Sequence, residues 1–165
     1  MFDVLWERLE KQISRLTTLN PGWQAGASEA EIQEAQQRLG IILPEDYARL
    51  VRRHNGQSDA FGVSILSAGG RLAPLEEIVR QHEEMLEWQS DEFFEELDDR
   101  RRIRGVIHHA QRVDIGGSIH FDGDNTVLDY IPGPEGVPGQ VLAKISECEY
   151  TVIGHSFTDY LQRVV

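Results

Sequence analysis

Apolar residues near the start of the chain recur every three or four positions, which is the period of an amphipathic helix. This stripe consists of Phe2, Leu5, Trp6, Leu9, Ile13 and Leu16. It predicts a first helix over Phe2 to Leu16. The following Asn20-Pro21-Gly22 predicts a break, because proline and glycine interrupt regular structure.

Two further helices are predicted, with a fixed corner between them. Ser28 is suited to cap the first, because its hydroxyl accepts a backbone N–H while Glu31 reaches back in a capping box. Gly40 supplies the left-handed residue that commonly ends a helix. Pro44 is expected at the first position of the second helix, which Asn55-Gly56 ends. The residues expected to be buried are Ile32, Leu39, Tyr47 and Leu50.

Shorter patterns predict the remaining elements. Gly62 to Leu66 is typical of a short strand, and Pro74 opens another helix. After Gly105 the apolar residues alternate or form short runs, as strands do. The predicted strands are Val106 to Ala110, Ser118 to Asp122, Thr126 to Ile131, Gln140 to Ile145 and Tyr150 to Gly154, with a hairpin turn at Asp122 to Asn125. Ser156 is expected to cap a last helix that runs through Val164.

The order of these elements predicts the fold class. Helices, a strand, a helix, a run of strands and a closing helix together indicate an α+β domain. We expect a single largely antiparallel or mixed sheet of about five to six strands, with helices packed against it. Most of that sheet is expected between Val106 and Gly154. The 165 residues contain no long linker, repeat or low-complexity segment, so one domain over 1–165 is predicted.

The front half of the chain carries a family resemblance. The letters RLG end the first capped helix at Arg38 to Gly40, LP-x-DY covers Leu43 to Tyr47, and NG closes the next helix. This arrangement resembles the front half of the SUKH superfamily. That superfamily contains the fungal Smi/Knr cell-wall regulators and many bacterial immunity proteins against polymorphic toxins.

Later segments resemble the closing strands and C-terminal helix of the same family. They are Leu128-Asp129, Gly139 to Leu142 and Val152 to Leu161. The similarity as a whole spans Trp23 to Leu161, so it implies a SUKH-like fold. One position departs from the pattern, because the family often has an acidic residue where Ile131 precedes Pro132 here. A role that depends on that carboxylate is therefore not implied for this chain.

The formal charge of −12 at neutral pH restricts the classes of partner. A surface this acidic repels nucleic acids and anionic membranes, and it attracts basic proteins over roughly a Debye length. We therefore expect neither a nucleic acid nor a membrane as partner. Two alternatives follow from the charge, a basic protein partner or an acidic surface that only keeps the protein in solution.

Three further features bear on location. No apolar run approaches the roughly 20 residues that span a bilayer. The N-terminal residues include early acids and no uninterrupted apolar stretch, unlike a secretory signal. Cys148 is the only cysteine, which excludes an intramolecular disulfide. Together these features predict a cytoplasmic protein.

The candidates for chemistry are weak. His108 and His109 are adjacent, so on a strand they would point to opposite faces. A metal site formed by one of them with His120, Asp122 and Asp129 would need three or four converging ligands. Gly116-Gly117 is interpreted as a turn. The sequence has neither a nucleophile elbow nor a phosphate-binding loop. We therefore expect no catalytic residue, no cofactor and no metal.

The acidic stretch from Glu83 to Asp99 exceeds what folding requires. It contains nine carboxylates, and no Lys or Arg occurs before Arg100. One interpretation is a solvated helix face that Arg100 to Arg104 neutralise. The other is a surface that mimics a nucleic acid backbone or blocks a basic active site. The candidate partner-binding residues are Glu83, Glu84, Glu87, Trp88, Asp91, Glu92, Glu95 and Glu96.

By resemblance, the expected function is protein binding without catalysis. The leading interpretation is an immunity protein that neutralises a polymorphic toxin effector, such as a nuclease with a basic cleft, by occlusion. The alternative is an intracellular scaffold or regulatory module of the Smi/Knr type. The sequence predicts neither the oligomeric state nor the binding face.

Overall fold

The computed structural model describes residues 1–89, 99–121, 123–145 and 149–165. The helices are α1 (Phe2–Leu16), α2 (Glu29–Leu39), α3 (Glu45–Arg53), α4 (Leu75–Leu86) and α5 (Phe157–Val164). The strands are β1 (Arg71–Leu72), β2 (Arg112–Gly117), β3 (Asn125–Asp129), β4 (Gln140–Ile145) and β5 (Glu149–Gly154). Among the described residues, no helix is both long enough and apolar enough to cross a membrane.

The strands form one five-stranded sheet in the order β1-β2-β3-β4-β5. Every neighbouring pair is antiparallel, so consecutive strands in the chain are also neighbours in the sheet. The predicted α+β class with an antiparallel sheet is therefore confirmed. Four of the five strands fall in the predicted region between Val106 and Gly154.

The capping signals fix the helix ends much as predicted. The Ser28 hydroxyl accepts the Glu31 N–H at 3.3 Å, and the Glu31 carboxylate accepts the Ser28 N–H at 2.7 Å. Gly40 ends α2 with φ 66°, in the left-handed region that glycine adopts at little cost. Pro44 differs from the prediction by one position, since it is the N-cap of α3 and the helix begins at Glu45.

The main core lies between the helices and one face of the sheet. The residues predicted to be buried are confirmed, with at most 4% of each exposed: Ile32, Leu39, Tyr47 and Leu50. They pack in one cluster with Val113, Ile115, Leu128 and Val141 from β2, β3 and β4. Burial of these side chains is the dominant stabilising term of such a layer.

A smaller cluster covers the opposite face of the sheet. It joins Val127, Leu142 and Tyr150 to Ile103 and Ile107, which lie in the segment before β2. Because this segment crosses the second face, both faces of the central strands are buried.

The predicted strand over Gly62 to Leu66 is wrong. Two of its backbone carbonyls accept hydrogen bonds from side chains instead of from a neighbouring strand. The carbonyl of Val63 accepts from Gln57 Nε2 at 2.9 Å, and that of Ile65 accepts from the Tyr160 hydroxyl at 2.8 Å. The first strand begins later, at Arg71.

The strands predicted over Val106 to Ala110 and Ser118 to Asp122 are also wrong, because β2 lies between them at Arg112–Gly117. The carbonyl of Val106 accepts a hydrogen bond from the Arg112 guanidinium, and His108 has a positive φ of 49°. Beyond β2, the Phe121 N–H donates to the Ser118 carbonyl at 3.1 Å and closes a turn. Asp122 lies outside the described residues.

Gly116 and Gly117 belong to β2 and not to a turn, because β2 comes very close to its neighbours there. A Cβ on Gly116 would overlap the backbone carbonyl oxygen of Arg71 in β1, so only glycine fits. The connection from β2 to β3 therefore runs over 118–124, and Asn125 is already the first residue of β3.

Candidate protein-binding surface

The candidate surface is the C-terminal end of α4 and the turn that follows it. Glu83 and Glu84 lie in the last turn of the helix, Glu87 is its C-cap, and Trp88 comes next. The Trp88 N–H donates to the Met85 carbonyl at 2.9 Å, which continues the helical winding. The structure thus brings half of the predicted partner-binding residues together. The others, Asp91, Glu92, Glu95 and Glu96, lie outside the described residues.

Packing of α4 determines which side chains face outward. The Asn55 carboxamide oxygen accepts the Leu75 N–H at 2.9 Å and so secures the start of the helix. Leu75, Ile78, Val79 and His82 are buried on the inner side, where α4 packs against β2. Glu83, Glu84 and Glu87 are exposed, which fits the i, i+3, i+4 spacing of an amphipathic helix.

Glu83 is already engaged within the protein. Its two carboxylate oxygens accept from Arg38 Nε at 2.9 Å and from Arg38 NH2 at 2.8 Å, in a bidentate pair between α2 and α4. These hydrogen bonds lower the pKa of Glu83 below its usual value. Glu83 therefore links α4 to α2, and its charge is largely compensated by Arg38.

Other carboxylates of the acidic stretch are also paired, with arginines that lie before or after the stretch in the chain. Glu84 pairs with Arg80 one turn earlier at 3.3 Å, and Asp99 pairs with Arg102 at 2.5 Å. The absence of lysine and arginine inside the stretch therefore does not mean that its carboxylates are uncompensated. These pairs are exposed, so each contributes little to stability.

Glu87 and Trp88 are the members that the fold does not explain. The last turn of α4 contains no basic residue, so the Glu87 carboxylate lies at the negative end of the helix dipole. Trp88 is 75% exposed, although tryptophan usually buries most of its surface. An unfavourably placed acid beside an exposed aromatic residue is an arrangement suited to contact with a basic partner.

The sequence did not predict the buried polar group on the second face of the sheet. The fully buried Asp129 carboxylate accepts from Arg112 Nε at 3.2 Å and from Gln140 Nε2 at 2.9 Å. Arg112 also lies over the Tyr150 ring, with 4.6 Å from its guanidinium carbon to the ring centroid. Asp129 matched the family pattern, but nothing along the chain indicates that Arg112 is its partner.

The LP-x-DY motif forms a joint between α3 and α5. Asp46 Oδ2 accepts the Thr158 N–H at 2.7 Å, and its other oxygen accepts the Tyr47 N–H at 2.9 Å. The Tyr47 ring packs edge-on against Phe157, with 5.1 Å between centroids. The motif that carries the resemblance therefore serves the fold, and the acidic end of α4 lies elsewhere.

The residues considered for a metal site lie in different settings. His108 and His109 precede β2, His120 lies in the turn after it, and Asp129 is committed to Arg112. In the part of the chain that the structure describes, no three His, Cys, Asp or Glu side chains form a group able to hold a metal ion. Cys148 lies outside that part.

Comparison with known proteins shows a match to one family model and a partial similarity to one relative. Residues 26–163 match the model of the SMI1 / KNR4 family (SUKH-1). Over 44 residues the chain is 41% identical to an uncharacterized protein, YnaB, of Bacillus subtilis (strain 168). That stretch covers 27% of this chain and 31% of YnaB. Since the family model matches most of its length, the chain belongs to the SMI1 / KNR4 family (SUKH-1).

Proposed function

We propose that this protein binds another protein without catalysing a reaction, and that its partner is a basic toxin effector which it neutralises by occlusion. The observation that carries the proposal is that Glu87 and the 75% exposed Trp88 lie next to each other at the end of α4. Family membership supports a SUKH-like domain, and the resemblance to immunity proteins supports the toxin as partner.

The physical basis is charge followed by burial. A net charge of −12 attracts a basic protein and speeds the encounter, while Glu84 and Glu87 present local negative charge on the outer face of α4. Trp88 then supplies a large apolar anchor, the kind of residue that dominates binding energy at protein interfaces. A partner with a basic rim around an apolar pocket would satisfy both requirements.

Capture of the partner from lysate of the cells that produce the protein tests this proposal. We compare the wild type with E87Q/W88A and with a matched control, E7Q/I42A, which removes one exposed carboxylate from α1 and the 79% exposed Ile42. Truncation of an anchoring tryptophan costs about 2 kcal/mol or more, or roughly thirtyfold in Kd. We expect mass spectrometry to identify a basic protein that the wild type and control retain and E87Q/W88A loses.

Expression of the captured protein distinguishes the two roles. A protein that stops bacterial growth alone, and ceases to do so when co-expressed with the wild type, supports the immunity role. A harmless partner that still requires Trp88 supports the alternative, a scaffold or regulator of the Smi/Knr type. A partner retained equally by all three proteins would contradict the proposed surface.

A further inference from the structure

A second exposed feature has the opposite charge to the end of α4. The segment 100–104 carries Arg100, Arg101, Arg102 and Arg104, all of them exposed in a protein of net charge −12. Beside it is a groove of about 600 Å³, hereafter the arginine groove. Its lining includes Arg100, Ile103, Arg104, Gly105, Pro132 and Pro134. None of the described residues that line it carries a carboxylate.

The backbone of the arginine segment is anchored to the β3–β4 connection. The carbonyl of Arg101 accepts the Glu135 N–H at 2.7 Å, and that of Arg102 accepts the Gly133 N–H at 3.0 Å. A Cβ on Gly133 would lie 2.5 Å from the Arg101 carbonyl oxygen, so the two segments approach backbone to backbone. This packing fixes both walls of the groove.

The buried polar group of the sheet holds the same segment from below. Gln140 Nε2 donates to the Arg102 carbonyl at 2.8 Å, and Arg112 NH2 donates to the Arg104 carbonyl at 2.6 Å. Both donors are themselves fixed by the buried Asp129. A backbone held in this way fixes the points from which the arginine side chains extend, so no backbone ordering is required when a ligand binds.

We propose that the arginine groove binds an acidic peptide segment of a protein partner. The guanidiniums of Arg100 and Arg104 line the groove and match carboxylates in charge and in hydrogen-bonding geometry. Pro132 and Pro134 add apolar surface for side chains between those carboxylates. A peptide is favoured over a nucleic acid, because the net charge of −12 repels a long polyanion. This surface is distinct from the acidic end of α4, so it does not depend on the proposed toxin partner.

Fluorescence polarisation with a labelled peptide of alternating Asp, Glu and Leu residues tests this inference. A second peptide carries Asn and Gln in place of the acids. The binding variant is R100Q/R104Q, and the matched control is R8Q/R15Q, which removes two exposed arginines from α1 and changes the net charge equally. We expect the acidic peptide to bind the wild type and the control alike at low ionic strength. We expect R100Q/R104Q to bind it about tenfold more weakly or worse, and the neutral peptide to bind none of the proteins comparably.

Amide shifts locate the peptide independently of the substitutions. In ¹⁵N-labelled wild type, the signals of Gly105 and Gly133 should move as the acidic peptide is added, whereas that of Gly22 should not. The inference is overturned if the wild type does not bind the acidic peptide, or if R100Q/R104Q binds it as the control does. Shifts confined to other regions, or tighter binding of a single-stranded DNA oligonucleotide in the same groove, would also overturn it.

Discussion

Asp129 is the residue whose charge the interior most depends on. It is fully buried between Arg112 and Gln140, and its Oδ1 also accepts the Ile131 N–H at 3.2 Å. Replacing Asp129 with Asn leaves the buried Arg112 without a negative partner, and an uncompensated buried charge costs about 3–5 kcal/mol. We expect D129N to lower the free energy of unfolding in urea by that order.

The same substitution at an exposed site provides the control. Asp3 pairs with Arg49 at 3.2 Å while both side chains are about half exposed, so D3N should cost less than about 1 kcal/mol. If D129N and D3N gave similar unfolding free energies, the buried pair would not stabilise the protein as inferred.

His82 predicts a pH dependence of stability. It is buried on the inner side of α4, and its Nδ1 has no hydrogen-bond partner among the described residues. Burial lowers its pKa below the ordinary value of 6.5, although Asp114, Glu83 and the Arg112 backbone act in the opposite direction. The unfolded chain therefore takes up a proton before the folded protein does. The contribution of neutral His82 to the free energy of unfolding is therefore fully present above pH 6.5 and is lost as the pH drops below it.

Urea unfolding at several pH values measures this effect. A single proton contributes a slope of at most about 1.4 kcal/mol per pH unit. Below neutral pH, we expect the free energy of unfolding of H82Q to depend less steeply on pH than that of the wild type, whatever its absolute stability. The control H155Q, at an exposed site, should keep the wild-type slope. An unchanged slope in H82Q would show that His82 titrates alike in both states.

The buried polar residues show that contacts between residues distant in sequence cannot be predicted from single positions along the chain. Arg112 stands opposite Asp129 only because β2 and β3 pair in that register. Arg112 lies between two segments that were predicted to be strands, so it was not itself predicted to be in the sheet. Its partner Asp129, which is distant in sequence, was therefore not predictable. Burial of Tyr47 and Leu50 was predictable, because it follows from the period of one helix.

At the scale of the element, the C-terminal turn of α4 is less stable than it would be with a basic residue at its end. Glu87 caps a helix end that favours positive charge, and that last turn contains no basic residue. Replacing Glu87 with Lys should therefore raise the free energy of unfolding by about 0.3–1 kcal/mol. Thermal and urea unfolding measure the change.

Reducing the net negative charge by itself also stabilises an acidic protein, so a matched control is needed. E7K makes the same change of charge on the exposed side of α1, away from a helix end. If the helix dipole destabilises Glu87, E87K raises the free energy of unfolding more than E7K does. Equal gains would remove the reason for assigning Glu87 a role outside folding.

Helices were predicted more closely than strands, because their signals are local. The capping residues Ser28 and Ser156 lie at the predicted starts, and α1 and α5 have the predicted ends. For β2 the local signal was misleading, since Gly116-Gly117 indicates a turn in isolation. The close approach of Leu66 and β1 explains why glycine occupies a strand there, and that contact is distant in sequence.

At the scale of the whole molecule, charge is unevenly distributed on the described surface. The acidic outer face of α4 ends at the exposed Trp88, while the segment 100–104 presents four exposed arginines, of which Arg100 and Arg104 line a groove. Sequence predicted the first of these features through its net charge and acidic stretch. The second depends on Arg112 and Gln140 holding a loop, which only the folded structure brings together.

The most direct test of the proposed binding surface is the rate of association with the captured partner as a function of salt. Stopped-flow fluorescence of the wild type, E84Q/E87Q and the charge-matched control E7Q/E34Q measures it, with thermal unfolding to confirm that each protein is folded. If the end of α4 steers a basic partner, the association rate of E84Q/E87Q falls and depends less on salt, while the control follows the wild type. An association rate and salt dependence of E84Q/E87Q equal to those of the control would contradict this surface as the site of binding.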